Sequence, residues 1–264
     1  MNTAAVARLT ALGRAELTLL GRNRNTLFVA LLMPVLMIFL LRSSLTGLAG
    51  PGGDAGDGAE RVPMGVAAAT LVGGTGMILV LVTYMSLVST YVARREELVL
   101  KRLRTGEARD AEILAGGALP AVVIALAQCA LLSALGPAVL DAAAPSRPDL
   151  LVLGVLGAVP LLAALAALTS VITRTVESAG LTTLPFFLLS SMGSGLMLPA
   201  ESLPDPVAAV CSLLPLSGPM ELVRAGWLGG GDAKDLLGAA LTTVAWIVIS
   251  VFAVRKWFRW EPRR

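Results

Sequence analysis

The side chains able to do chemistry are concentrated in one stretch, Arg94–Glu112, RREELVLKRLRTGEARDAE. Six of its residues are basic (Arg94, Arg95, Lys101, Arg102, Arg104, Arg109) and five are acidic (Glu96, Glu97, Glu107, Asp110, Glu112). Mixed charge at this density suits recognition of a complementary surface better than catalysis. The chain has no His, which removes the commonest general base and the commonest neutral metal ligand. Its two cysteines, Cys129 and Cys211, lie far apart and match no metal or redox spacing. No G-x-x-x-x-G-K-[ST] phosphate loop, G-x-S-x-G elbow or H-E-x-x-H zinc motif occurs, and GGGDAKD at 229–235 has the wrong spacing for the first. No apolar segment holds a pair of carboxylates for a proton relay. Glu177 comes nearest, and its expected role is a partner for Arg174 at a membrane edge.

A membrane must position that stretch. The 264 residues are 56% hydrophobic and 15% charged, with a mean hydropathy of +0.79; soluble domains carry about 25% charged residues. The charged block is flanked by apolar runs at 62–92 and 113–140. One arginine at the bilayer centre costs roughly 2.5–3.5 kcal/mol, so a block of six basic residues must leave the hydrocarbon. Val99/Leu103 and Leu100/Leu103 have helical spacing, and Glu97 to Lys101 is a favourable i,i+4 pair. These predict a short amphipathic helix at the membrane surface, ended near Gly106. The competing reading is a solvated loop joining two spans.

The rest of the chain predicts an all-α integral membrane protein with six transmembrane helices. Residues 1–25 form a cytoplasmic interfacial segment. Val6, Leu9, Leu12, Leu17 and Leu20 share one helical face, with Arg8, Arg14, Glu16 and Arg22 off it. A transmembrane domain fills 26–264, with spans near 26–41, 63–92, 113–140, 150–173, 179–198 and 236–254. Pro34 should kink the first span, and Gly116, Gly117 and Pro120 suggest an irregular start to the third. Between the fifth and sixth, residues 199–230 are too apolar for a free loop yet broken by Pro199, Pro204, Pro206, Pro215 and Pro219. They read as short helices on or dipping into the outer leaflet, a re-entrant arrangement needing protein cover. Six spans put both termini on one side. With the termini inside, 16 Lys and Arg face the cytoplasm and five face out, the asymmetry expected of that orientation.

Three patterns resemble the ABC-2 type permeases, the membrane subunits of ATP-binding-cassette exporters. RREELVLKRLRTGEARDAEILAG (94–116) is similar to the family's cytoplasmic segment between spans 2 and 3. There an acidic residue, a Leu-Lys/Arg-Leu-Arg core and a small-residue turn precede an E-I-L-x-G/A entry to the next span. MGSGLMLPAESLPDPVAAVCSLLPLSGPMELVRAGWLGG (192–230) is similar to the family's exit from span 5, with its acidic-residue-then-LP and ELVR patterns. The basic amphipathic N-terminus matches the family's interfacial helix. Many members have Glu-x-Gly-Thr where this chain has Glu96-Glu97-Leu98-Val99, which leaves the local turn open.

The resemblance implies a coupling helix at about 94–106 that docks on a separate ATPase, with Glu96, Glu97, Leu98, Leu100, Lys101, Arg102, Leu103 and Arg104 as contact residues. It implies two copies of an ABC ATP-binding subunit and a second permease subunit, the same chain or a close paralogue. The small residues of spans 2 and 5 would sit at that seam. No cofactor is expected on this chain, and ATP and Mg belong to the partner ATPase. Thr83, Tyr84, Ser190, Ser191, Met192 and Ser194 are the candidate substrate path, with ordinary interhelical packing as the other account of each. The expected function is non-catalytic export of a hydrophobic small molecule such as a drug, antibiotic or lipid. Within the family, polysaccharide export is the neighbouring possibility. A membrane-embedded enzyme acting on lipid, or a structural membrane protein, are the readings from other classes. No nucleic acid is implied. The high Ala, Gly, Leu and Val content with few Lys fits a GC-rich bacterium, and the expected location is a bacterial plasma membrane, multi-pass with both termini cytoplasmic.

Overall fold

A computed structural model describes residues 64–106, 109–140, 142–193, 205–258 and 260, with scattered positions between 10 and 36. The predicted first span (26–41) and the interfacial helix therefore fall almost wholly outside the described residues.

Every regular element among the described residues is helical. A continuous rod runs through α1 (Met64–Ile78), a π-helical segment (Leu79–Met85) and α2 (Ser86–Glu96). The short α3 (Val99–Arg104) follows. Next come α4 (Asp110–Leu140), α5 (Pro148–Ile172) and α6 (Val176–Gly193). Two short helices, α7 (Asp205–Ser212) and α8 (Ser217–Leu228), precede the last, α9 (Ala233–Trp257). Four are long and apolar enough to cross a bilayer: Ala67–Glu96, α4, α5 and α9. They coincide with predicted spans 2, 3, 4 and 6, and α6 lies where the fifth was expected.

Burial ranks these helices. In its most apolar stretch the α1–α2 rod is 67% buried, against 28% for α4 and for α9. The rod is the axis of the bundle, with Leu71, Leu79, Tyr84, Leu87 and Tyr91 in the core; α4 and α9 lie outside it. α5 packs on the rod and also on α8 and α9.

The segment predicted to be re-entrant contains α7 and α8, and α8 does have protein cover. Met220, Leu222, Val223 and Trp227 are buried, and α8 lies against α5 and α9. Glycine makes that approach feasible. A Cβ on Gly154 would fall 2.7 Å from the Pro219 carbonyl oxygen, and one on Gly226 would fall 2.5 Å from the Leu151 nitrogen. Backbone meets backbone here, as small residues allow between membrane helices. The loop before α5 caps the far end of α8: the Arg147 N–H donates to Gly226 O at 2.9 Å.

Two expectations change. The sequence predicts an end to the second span near Val92, but the helix continues to Glu96, with Arg94 and Arg95 laid against α4 and α5. The third was expected to start irregularly at Gly116, Gly117 and Pro120. It is helical from Asp110, because the Glu112 carboxylate accepts the Arg109 N–H at 3.1 Å, half of a capping box. Gly117 serves side-chain packing instead: a Cβ there would lie 3.1 Å from Arg94 Nη1.

Candidate functional site

The charged stretch folds into two helices and a sharp turn. Residues 94–96 finish α2, so the coupling segment predicted at 94–106 is not one helix. Glu97 caps α2, its N–H donating to Ala93 O at 2.9 Å. Leu98 then takes a left-handed conformation (φ 58°), alone in that among the described non-glycine residues. This conformation costs an L-residue roughly 1–2 kcal/mol and usually selects glycine at a helix end. The turn left open by the sequence is thus made, with leucine in a backbone suited to glycine. α3 begins at once, and Thr105 and Gly106 close it as expected.

Of the predicted contact residues, Glu96, Glu97, Leu98, Lys101, Arg102 and Arg104 are exposed, Leu103 is half-buried and Leu100 is buried. Leu100, only 1% exposed, anchors α3 to its own chain and does not present itself to a partner. Arg104 is exposed but engaged. It lies 3.3 Å from Asp110 and 5.0 Å from the Trp260 ring centroid, a cation–π distance.

Arg95 lies deepest, 1% exposed. Its Nη1 donates to Ser170 O at 2.7 Å and its Nη2 to Thr173 O at 2.5 Å. These carbonyls end α5, where the last turn lacks intrahelical donors and carries partial negative charge. A guanidinium is suited to both needs, and its fork spans two oxygens. The residue before the turn is therefore tied to the end of another spanning helix. No sequence pattern marks this role, because Arg95 is one of eleven charges in the stretch.

Rings form a second connection. Trp260 packs edge-on to Phe258 at 4.9 Å, and Phe258 faces Tyr91 at 6.4 Å. The Tyr91 hydroxyl donates to Leu114 O at 3.1 Å. Through Arg104 and these rings, α3 reaches the tail of α9, then α2, then α4.

The candidate substrate path is only partly assembled. Thr83 and Tyr84 lie in the π-helical segment and are buried. The Tyr84 hydroxyl is 2.9 Å from Thr169 Oγ1, and its ring is 4.4 Å from Phe186 on α6. Ser190 and Ser191 are buried on α6, the latter donating to Phe187 O at 2.8 Å. Met192 is helical, and Ser194 lies outside the described residues. Helix packing accounts for Tyr84 and Ser191; Thr83 Oγ1 has no partner among the described residues.

One other expectation does not hold. Glu177 makes no ion pair with Arg174 among the described residues; it is exposed in the first turn of α6. Glu221 and Arg224, the polar pair of the ELVR pattern, bond each other at 3.0 Å within α8.

A groove of about 500 Å³ opens beside Arg109 and Asp110, at the end of the charged stretch. Its floor is α5 (Pro160, Ala163, Ala164, Ala167), and its walls come from α4 and α9. None of the candidate path residues lines it.

These features define a polytopic helical membrane protein with a charged, helix-anchored turn at one end. The model of the ABC-2 type transporter family matches residues 7–228, so the chain belongs to that family. The match covers the turn and α8 and stops before α9. No curated protein matches the sequence.

Proposed function

We propose that this chain is the permease subunit of an ATP-driven exporter that moves a hydrophobic small molecule out of a bacterial cell. A separate ATPase would hydrolyse ATP with Mg. The observation that carries this reading is the α2–α3 turn, which presents Glu96, Glu97, Lys101 and Arg102 outward while Arg95 and Arg104 fasten it inward. In this reading α3 is the coupling helix, and its charges register against the ATPase surface. A push on α3 would reach α5 through Arg95 and α9 through Trp260. The working unit would hold two ATPase copies and two permease chains, identical or closely related. The exposed α6 face, with Leu181, Leu184, Leu188 and Leu189, is available to that second copy. The spans number six, both termini face the cytoplasm, and residues 199–230 lie at the outer leaflet. A hydrophobic cargo suits a bundle whose buried interior among the described residues is mostly apolar.

The test is co-purification with the ATPase encoded beside this chain, comparing wild type with Glu97→Ala/Arg102→Ala. A stable wild-type complex, weakened in the double variant with a lower ATPase rate, is the expected result. A chain that purifies alone, indifferent to both ATPase and substitution, would overturn the reading.

A further inference from the structure

We infer that the groove between α4, α5 and α9 holds an anionic phospholipid, its phosphate between Arg109 and Arg255. The inference rests on the proposed orientation, which puts the Arg94–Glu112 end at the cytoplasmic leaflet.

The groove is shaped for an amphiphile. Its floor is recessed because Ala163, Ala164 and Ala167 are small, and Leu114 and Val251 contribute apolar walls. From Ala167 to Pro160 that floor runs about 10 Å along α5 at the rise of an α-helix. Half of a bilayer's hydrocarbon is about 15 Å deep, so acyl chains could follow the floor through most of one leaflet.

Polarity is confined to one end. α4 brings its start to that end and α9 its last turn, while the α5 floor stops at Ala167, short of that helix's end. Arg109 and Arg255 line that end beside Tyr91 and Trp260. Neither arginine has an ion pair among the described residues. The one acid of the lining, Asp110, is turned to Arg104 at 3.3 Å, which partly offsets its charge. Two guanidiniums with amphipathic rings beside them, over an apolar trough, complement a phosphate on two acyl chains. A neutral lipid would leave the charges unmatched, and a free anion would leave the trough unfilled.

Native mass spectrometry of the detergent-purified full chain tests this, with phosphatidylglycerol and phosphatidylcholine of identical acyl chains as probes. Wild type should retain one phosphatidylglycerol with roughly tenfold or greater preference, as two basic residues give toward an anionic headgroup. Arg109→Gln/Arg255→Gln should erase the preference; the α4 cap survives it because the backbone N–H of residue 109 makes that bond. Ala164→Phe, which fills the trough, should lower retention of both lipids. Equal retention by wild type, or a preference untouched in the double variant, overturns the proposal. So does cross-linking of two copies through Ala164→Cys, in a chain with Cys129 and Cys211 replaced by Ala, without retained lipid. The assay contains no ATPase, so its failure leaves the coupling reading standing, and a failed co-purification leaves the lipid result intact.

Discussion

The two ends of the bundle are joined by different means. At the α8 end, helices touch through glycines: Gly154 against Pro219 and Val223, Gly226 against Leu151 and Gly218 against Ala239. At the α3 end they are tied by long side chains, Arg95 to the α5 terminus and Arg104 to Trp260 and Asp110. A glycine contact between backbones has one arrangement, because close-packed interiors do not deform continuously. An arginine has several rotatable bonds and can follow a helix that shifts. The glycine end thus suits a fixed frame, and the arginine end suits an element pushed by a partner.

Arg95→Met would break the contrast most strongly. It strips charge-assisted bonds from two carbonyls in a buried site, a loss of about 3 kcal/mol. Thermal unfolding of the detergent-solubilised chain should show it, with Arg95→Lys intermediate because an ammonium keeps the charge but not the fork. An unchanged melting temperature would mean that the α3 end does not hang on this residue. Gly226→Ala attacks the other end. The added Cβ would meet the Leu151 backbone at 2.5 Å, and overpacking of this kind costs about 2 kcal/mol. Gly238→Ala is the control, since nothing lies within 4 Å of its Cβ position. There alanine should be neutral or stabilising by up to about 1 kcal/mol. Equal effects at 226 and 238 would remove the argument for a glycine-locked frame.

A smaller effect should follow at Arg104. Its side chain is 52% exposed and that of Asp110 54%, so solvent screens the pair. A double-mutant cycle of Arg104→Gln with Asp110→Asn should give a coupling below about 1 kcal/mol that shrinks with salt. A coupling insensitive to salt would mean that the pair is shielded, with Arg104 a stiffer tether than its exposure suggests.

The spans were legible because hydropathy over some 20 residues is a coarse signal that survives without tertiary detail. The charged stretch was legible for the same reason: it cannot stay in hydrocarbon. Its inner geometry was not. Arg95 and Arg102 are identical in sequence terms, yet one caps a helix 75 residues away and the other faces outward. That choice depends on where α5 ends, which no local pattern states. The role of Glu112 was not legible either, since the residue three before it is Arg109, where a capping box has Ser, Thr, Asp or Asn. Its place in a crowded charge block hid it. The groove could not have been read at all, because its lining comes from separate segments that meet only in the fold.

Leu98 allows the finest test of the working end. Leu98→Gly removes the left-handed penalty of roughly 1–2 kcal/mol but adds about 0.5–1 kcal/mol of backbone entropy lost on folding. Leu98→Ala keeps the strain, and both variants lose a side chain that is only 40% exposed, so the two are compared with each other. Glycine should be the more stable by about 0.5 kcal/mol, visible as a small difference in melting temperature. Glycine no more stable than alanine would mean that the turn carries no strain there. Complex formation separates the two roles. If Leu98 touches the ATPase, Leu98→Gly and Leu98→Ala should both weaken co-purification although the first is the more stable. If the residue serves the turn alone, Leu98→Gly should bind as well as wild type. Stability and binding would then move independently at one residue, as expected where a helix end is both strained and presented to a partner.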